Sequence, residues 1–144
     1  MSNRTASTET PENVLIALKQ EQAKSGYLSA DFMHSVAKSF SVPVNEVYGI
    51  ASFYSFLPVK PVGRHVVRIC RSLPCHLKEG ELIIAALEKE MGIKPGHTTA
   101  DGRFTFEMTN CIGLCDKAPA MLINSDAHVD LTPGKIRSIL NEYK

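Results

Sequence analysis

Residues 65–75 read HVVRICRSLPC, a short β-branched run that predicts a strand, ends on a cysteine and is followed by a second cysteine five positions later. Residues 104–115 read FTFEMTNCIGLC, where alternating apolar residues predict another strand with two cysteines beyond its end. Loops that follow strands lie at one end of a sheet, so we expect the two pairs to meet at one edge. The cysteines are Cys70, Cys75, Cys111 and Cys115.

Helix and strand patterns surround these two stretches. Residues 79–91 carry a helical apolar face that Gly92 ends, and residues 121–124 and 127–131 predict two short strands that pair with each other. A last helix is expected to begin at Pro133. The pattern predicts a sheet flanked by helices, an α/β (α+β) fold.

The first part of the chain, residues 11 to about 57, is predicted to form a bundle of helices because its apolar residues recur at helical spacing. Gly26 is expected to end the first helix. The expected helix starts are Thr10 as cap before Pro11, Ser29 as cap, and Pro43. We expect an aromatic group near the end of this region to be core, with an interface as the alternative: Tyr48, Phe53, Tyr54 and Phe56.

Composition and charge exclude several classes of protein. Of the 144 residues 44% are hydrophobic and 22% charged, as in a globular chain, and the net charge of +1 predicts no nucleic-acid surface. No apolar run approaches the roughly 20 residues of a membrane span, and the polar start lacks a secretory signal, so we expect a cytoplasmic protein without membrane insertion. Residues 1–10 are expected to be a flexible tail, 11–60 the helical bundle, and 61–144 the sheet domain.

The cysteine spacing, C-x4-C and then C-x3-C, predicts a metal site. A 2Fe–2S cluster has two tetrahedral irons that each take two outside ligands, which suits one pair per loop. Zinc remains an alternative, although zinc ribbons mostly use C-x2-C twice. A redox dithiol prefers C-x2-C, and a structural disulfide is unexpected in a reducing cytosol.

The residues beside the cysteines suit an iron–sulfur site. Gly113 allows the backbone to approach sulfur, Pro74 and Pro119 stiffen the loops, and a helix starting near residue 78 is expected to point its amino end at the site. His76 is expected to be near the site or at the surface. Positive neighbours that are either surface charges or a balance for the negative cluster are Arg71, Lys78 and Lys117.

Several spaced motifs resemble the thioredoxin-like 2Fe–2S ferredoxin subunit of the complex I peripheral arm. The same family includes the small subunits of NAD(P)-linked multimeric hydrogenases and formate dehydrogenases. Residues 49–56, GIASFYSF, are similar to its G-V-A-T-F-Y-x-x-F signature, and residues 111–119, CIGLCDKAP, match its C-x-G-x-C-x-x-A-P. Residues 61–63, PVG, and 96–104, GHTTADGRF, resemble its P-x-G and G-x-T-T-x-D-G-x-F segments, while Ser52 departs from the usual Thr.

The resemblance implies a helical bundle followed by a thioredoxin-like domain over residues 61–144. It also implies one 2Fe–2S cluster that exchanges single electrons with a flavin- and NAD(P)-binding subunit, beside a further iron–sulfur subunit. The cluster ligands it implies are Cys70, Cys75, Cys111 and Cys115. The compact length favours a multimeric hydrogenase, possibly an electron-bifurcating one, with NADH dehydrogenase and formate dehydrogenase as alternatives.

The chain itself contains no motif for a nucleotide, a flavin or a catalytic nucleophile. We therefore expect an electron carrier that turns over no substrate alone. Two hypotheses of other classes stay open on the residues: a zinc-stabilised interaction module and a thiol–disulfide oxidoreductase.

Overall fold

The structure is a computed structural model that describes residues 13–144. These residues form two compact units that divide between Pro61 and Val62, and each unit has its own hydrophobic core. Within residues 13–144 no helix is both long enough and apolar enough to cross a membrane. The predicted tail, residues 1–10, lies outside the described part.

The first unit consists of helices: α1 is Val14–Ser25, α2 is Ala30–Phe40 and α3 is Val44–Phe53. Ser29 caps α2 as predicted, since its hydroxyl accepts a hydrogen bond from the Phe32 N–H at 3.2 Å. Gly26 ends α1 in a left-handed conformation, also as predicted.

The predicted start of α1 is wrong. Asn13 is the cap, because its side-chain oxygen accepts a hydrogen bond from the Ile16 N–H at 3.0 Å. Thr10 and Pro11, the expected cap and first helical residue, lie outside the described residues.

The expected aromatic core of this unit is also largely wrong. Phe53 is 79% exposed and Tyr48 51% exposed, and Phe56 is exposed as well. Tyr54 is half-buried, and its ring packs 5.0 Å from the Phe53 ring and 5.3 Å from the Phe56 ring between centroids. The core is aliphatic instead and centres on buried residues from the three helices and the segments beside them: Leu18, Leu28, Val36, Val47, Ala51 and Leu57.

The second unit is a five-stranded mixed sheet with the order β2-β3-β1-β4-β5. The strands are β1 His65–Cys70, β2 His97–Thr98, β3 Phe104–Thr109, β4 Met121–Ile123 and β5 Asp126–His128. The β1 and β3 strands are parallel, while the remaining neighbours pair antiparallel. The pairing of β4 with β5 confirms the two short strands predicted there.

Helices α5, Gly80–Met91, and α6, Pro133–Glu142, pack on one face of this sheet. That face carries every second residue of the central strands, because strand side chains alternate between faces. The buried residues it contributes are Val67, Ile69, Phe104, Phe106, Met121 and Ile123. The mixed α/β architecture predicted from the sequence is confirmed.

The parallel pair β1–β3 determines where the cysteines lie. Cys70 is the last residue of β1 and stands in register with Thr109, the last residue of β3. Cys111 follows two residues later, so both cysteine pairs begin at the same edge of the sheet. This placement confirms the expectation from the sequence.

The local structure around Cys75 differs from the prediction. The residue lies on a short helix, α4 (Leu73–Leu77), and not in a loop. Pro74 fits the first turn of that helix because its missing N–H has no partner to lose there. Helix α5 begins separately at Gly80, within the residues where a helix was predicted to start after Cys75, and Gly92 ends it as predicted.

Candidate metal centre

The first thiol pair is buried at the end of β1. Cys70 and Cys75 are each 2% exposed. Helix α4 brings Cys75 back toward the strand end, with the His76 N–H donating to the Ser72 carbonyl at 3.0 Å. This part of the site is closed to water on the side of the sheet.

The second thiol pair is exposed. Cys111 lies in the loop after β3, and Cys115 begins a short 3-10 helix, Cys115–Lys117. Their Sγ atoms are 3.2 Å apart. Gly113 has a φ of 82°, which glycine adopts readily, and this turn brings its N–H to 3.4 Å from Cys111 Sγ.

Backbone hydrogen bonds tie the two cysteine loops together. The Cys70 N–H donates to the Ala120 carbonyl at 3.2 Å, and the Arg71 N–H donates to the Thr109 carbonyl at 3.0 Å. Cys70 and Cys75 pack with Ala118 of the second loop in one small buried cluster. Both pairs are therefore held by one continuous piece of structure.

Hydrogen bonds from main-chain amides contribute to a difference in pKa between the two buried thiols. Burial raises the pKa of Cys70, but hydrogen bonding from the Ser72 amide, from the Cys75 side chain and from the Ile112 amide outweighs it, so the net pKa is lowered. Burial also raises the pKa of Cys75, and hydrogen bonding from the Ala120 amide does not overcome it. The pKa of Cys70 is therefore lowered while that of Cys75 is raised, although both thiols are buried.

The exposed pair is coupled to the buried one. The hydrogen bond with the Cys111 thiol is the main cause that raises the pKa of Cys115, followed by burial and by the negative charges of Cys111 and Cys70. Cys70 of the buried pair is among these causes, and the backbone hydrogen bonds described above join the loops that carry the two pairs. Unneutralised, four thiolates there repel one another, and metal cations remove that repulsion.

The donor set fits two metal ions that each take two thiolates. With metal–sulfur bonds of about 2.3 Å, two thiolates on one tetrahedral ion lie about 3.8 Å apart, close to the 3.2 Å between the Cys111 and Cys115 sulfurs. Among residues 13–144 no three Cys, His, Asp or Glu side chains surround a single point closely enough to hold a metal ion. The thiols come in pairs, as the irons of a 2Fe–2S cluster require.

Comparison with known proteins agrees with this donor set. The family model for the thioredoxin-like [2Fe-2S] ferredoxin matches residues 2–144. The chain belongs to the thioredoxin-like [2Fe-2S] ferredoxin family. Members of this family carry a 2Fe–2S cluster, and the thioredoxin-like ferredoxin fold with helices at its amino-terminal end is the one described above.

Curated relatives of this ferredoxin are subunits of NADH-oxidising complexes. The chain is 47% identical over 128 residues to an NADH-quinone oxidoreductase subunit from Escherichia coli K12, covering 89% of this chain and 77% of the relative. It is 39% identical over 127 residues to the subunit of the same name in Pseudomonas aeruginosa, covering 88% and 76%.

Among solved structures the ferredoxin resembles part of an NAD+-reducing [NiFe]-hydrogenase, in its H2-reduced state, with a TM-score of 0.80 and 30% identity. The likeness covers 93% of this chain and only 22% of the hydrogenase chain. In that hydrogenase the ferredoxin fold is thus one part of a much longer polypeptide.

Some site residues of the ferredoxin have no signal in the sequence. Ala120 and Ile112 act on the thiols through their backbone N–H groups, so their apolar side chains give no indication of this role in the sequence. The expected charged neighbours Arg71, Lys78 and Lys117 are all exposed. His76 is exposed too, with its Nδ1 3.3 Å from a Glu81 carboxylate oxygen, which agrees with the surface position considered for it.

Proposed function

We propose that this ferredoxin is an electron-transfer subunit whose one 2Fe–2S cluster is held by all four cysteines. Cys70 and Cys75 would take one iron, and Cys111 and Cys115 the other. The observation that carries the proposal is the convergence of two thiol pairs at the shared edge of β1 and β3. The family match supplies the kind of cluster.

The cluster, when bound, stores and releases one electron at a time. The protein's contribution is to hold the thiols in pairs, to exclude water from Cys70 and Cys75, and to aim amide dipoles at the sulfurs. The amides of Ile112, Ala120 and Gly113 place partial positive charge where an added electron makes the site more negative. These contacts favour the reduced form.

The partner we propose is a separate chain that bears the flavin and the NAD(H) site. Two observations support it. The relatives are named as subunits, and in the hydrogenase the same fold is continuous with more than three quarters of a longer chain. In the hydrogenase this fold is covalently joined to the rest of an NAD+-reducing protein. We infer that in this ferredoxin a surface of the same fold binds the corresponding separate chain.

An NADH dehydrogenase of the complex I type is the better supported assembly. The relatives named as NADH-quinone oxidoreductase subunits reach 47% identity, whereas the hydrogenase likeness is at 30%. The hydrogenase assignment that the compact length favoured stays a prediction, as do the further iron–sulfur subunit and the cytoplasmic location.

Reduction by NADH tests this role. The anaerobic full-length chain alone should be bleached by dithionite and left unchanged by NADH, because it has no nucleotide or flavin motif. Adding the flavoprotein subunit from the same organism should allow NADH to bleach it. Reduction of the isolated chain by NADH, or no reduction with the flavoprotein present, would contradict the proposed role.

A further inference from the structure

Gly80 lies directly against the backbone of Cys75. It is buried and is the first residue of α5. A β-carbon at this position would be 2.6 Å from the Cys75 carbonyl oxygen and 3.0 Å from the carbonyl carbon. Both contacts are with main-chain atoms, so no side-chain rotation could relieve them.

Position 80 requires glycine because the Cys75 carbonyl group lies so close to it. Glycine in a helix is less favourable than alanine by about 0.5–1 kcal/mol, and the φ of Gly80 is outside the left-handed range where glycine is preferred. Gly134, the second residue of α6, has no atom within 4 Å of an equivalent β-carbon. The start of α5 is therefore crowded by the backbone of Cys75, whereas the start of α6 is not crowded.

The segment between α4 and α5 has little freedom to absorb a displacement. The Lys78 N–H donates to the Pro74 carbonyl at 3.2 Å, and the Glu79 carbonyl accepts from the Leu82 N–H at 2.9 Å. Glu79 itself has a φ of 62°, a left-handed conformation that is costly for a non-glycine residue. The link is short and held at both ends.

Helix α5 is the fixed side of this contact. Its residues Ile83 and Leu87 are 1% and 0% exposed and belong to the main core of the unit. Helix α4 is only five residues long and carries the thiol. An added methyl group at residue 80 would thus displace α4, and with it Cys75, sooner than α5.

We propose that Gly80 is a positioning residue for Cys75: the missing side chain lets α5 stand against the Cys75 carbonyl and so determines where this thiol meets the Ala120 amide and the other cysteines. The inference rests on the proposed function, because it requires Cys75 to be a cluster ligand. Gly80 acts through Cys75 and does not itself contact the cluster.

Two alanine variants of the full-length chain test the inference. Gly80→Ala should lose its cluster to a chelator at least tenfold faster than wild type and show shifted g values after reduction by dithionite. Gly134→Ala adds the same methyl group to a helix start in open space, and should match wild type in both. The same rate and the same g values for Gly80→Ala would overturn the inference.

The design separates this inference from the proposed function. If wild type binds no 2Fe–2S cluster, both fail. If wild type and Gly134→Ala hold the cluster and Gly80→Ala is indistinguishable from them, the positioning role alone fails.

A second pair of variants serves if Gly80→Ala does not fold. Glu79→Gly and Glu79→Asn both remove the carboxylate and both tolerate the left-handed conformation, but glycine lets the link move. Cluster loss should be at least threefold faster in Glu79→Gly than in Glu79→Asn. Equal rates of cluster loss for these two variants would overturn the inference, and this comparison adds no methyl group at residue 80.

Discussion

Cys70 and Cys75 are equally buried, yet the pKa of one thiol is lowered and that of the other raised. Burial acts in the same direction on both, so the difference comes from hydrogen bonding and from the charges of Cys70 and Cys115, which raise the pKa of Cys75. Cys70 receives the Ser72 and Ile112 amides, whereas Cys75 receives only the Ala120 amide. At the residue scale, main-chain N–H groups lower the pKa of Cys70, and the neighbouring thiolates help to raise that of Cys75.

Serine substitution at the ligands tests their assignment. Cys75→Ser and Cys111→Ser each remove one thiolate from a different pair, so iron per chain should fall to less than half of the wild-type value or the spectrum should change. The helical far-UV circular dichroism should persist, because the first unit has a separate core. His76→Ala, next to Cys75 but exposed, is the control and should keep the cluster. Unchanged iron and spectra in both serine variants would exclude these cysteines as ligands.

At the scale of elements, the end of α6 depends on a residue from the β2–β3 turn. Arg103 Nε donates to the Tyr143 carbonyl at 2.6 Å and its Nη2 donates to the Leu140 carbonyl at 2.9 Å. The Leu140 carbonyl also accepts the Tyr143 N–H at 3.3 Å, so Arg103 adds a charged donor to the last turn of the helix and a further bond just beyond it. Arg103 also lies over the Phe104 ring, 4.7 Å from its centroid.

Arg103→Gln should therefore lower the free energy of unfolding by about 1.5 kcal/mol, as expected for hydrogen bonds from a charged donor. Urea denaturation of the full-length chain measures it. Arg137→Gln is the matched control: Arg137 is largely exposed and 3.9 Å from Glu90, so its loss should cost less than about 0.5 kcal/mol. Equal effects of the two variants would contradict the capping role.

Tyr143, just beyond α6, makes the free energy of unfolding depend on pH in the alkaline range. Burial, and then its hydrogen bond to Asp126, raise the pKa of Tyr143 to about 12. Between pH 10 and 12 the unfolded chain has lost this proton while the folded chain keeps it, so stability is fully present below pH 10 and falls as pH rises through that range. Urea midpoints of wild type should fall more steeply there than those of Tyr143→Phe. Tyr48→Phe, at an exposed position of α3, should behave as wild type, and parallel pH profiles for all three proteins would contradict this account.

How far the sequence predicts these elements depends on the range of the interactions. Strand β1 and the edge that both cysteine pairs share are predictable, because β-branched runs and loops after strands are local signals. Helix α4 is not, because five residues are too few to show a period. The exposure of Phe53 also escapes prediction, since hydrophobicity alone does not tell a core from a docking surface. The contact of Gly80 with Cys75 is a tertiary approach that no spacing rule contains.

At the scale of the whole molecule, the described chain has two cores, one helical and one built on the sheet. We propose that these are independent domains that divide near residues 60–61. The segment between them contains Pro58, Pro61 and Gly63, none of it within a helix or strand. Proline and glycine are typical of links between domains.

Limited proteolysis tests that division. A nonspecific protease acting on the folded full-length chain should cut first within about residues 57–64, and the coloured fragment should be the one that begins near residue 62. Exposed linkers are cut before packed elements. First cuts inside the sheet unit, or colour in the helical fragment, would contradict two independent domains.

The central claim is that four cysteines hold one 2Fe–2S cluster. The most direct test is iron, zinc and acid-labile sulfide analysis of the anaerobically purified full-length chain, with EPR before and after dithionite. We expect two irons and two sulfides per chain, no signal when oxidised and an S = 1/2 signal when reduced. One zinc per chain with no sulfide and no signal would contradict the claim.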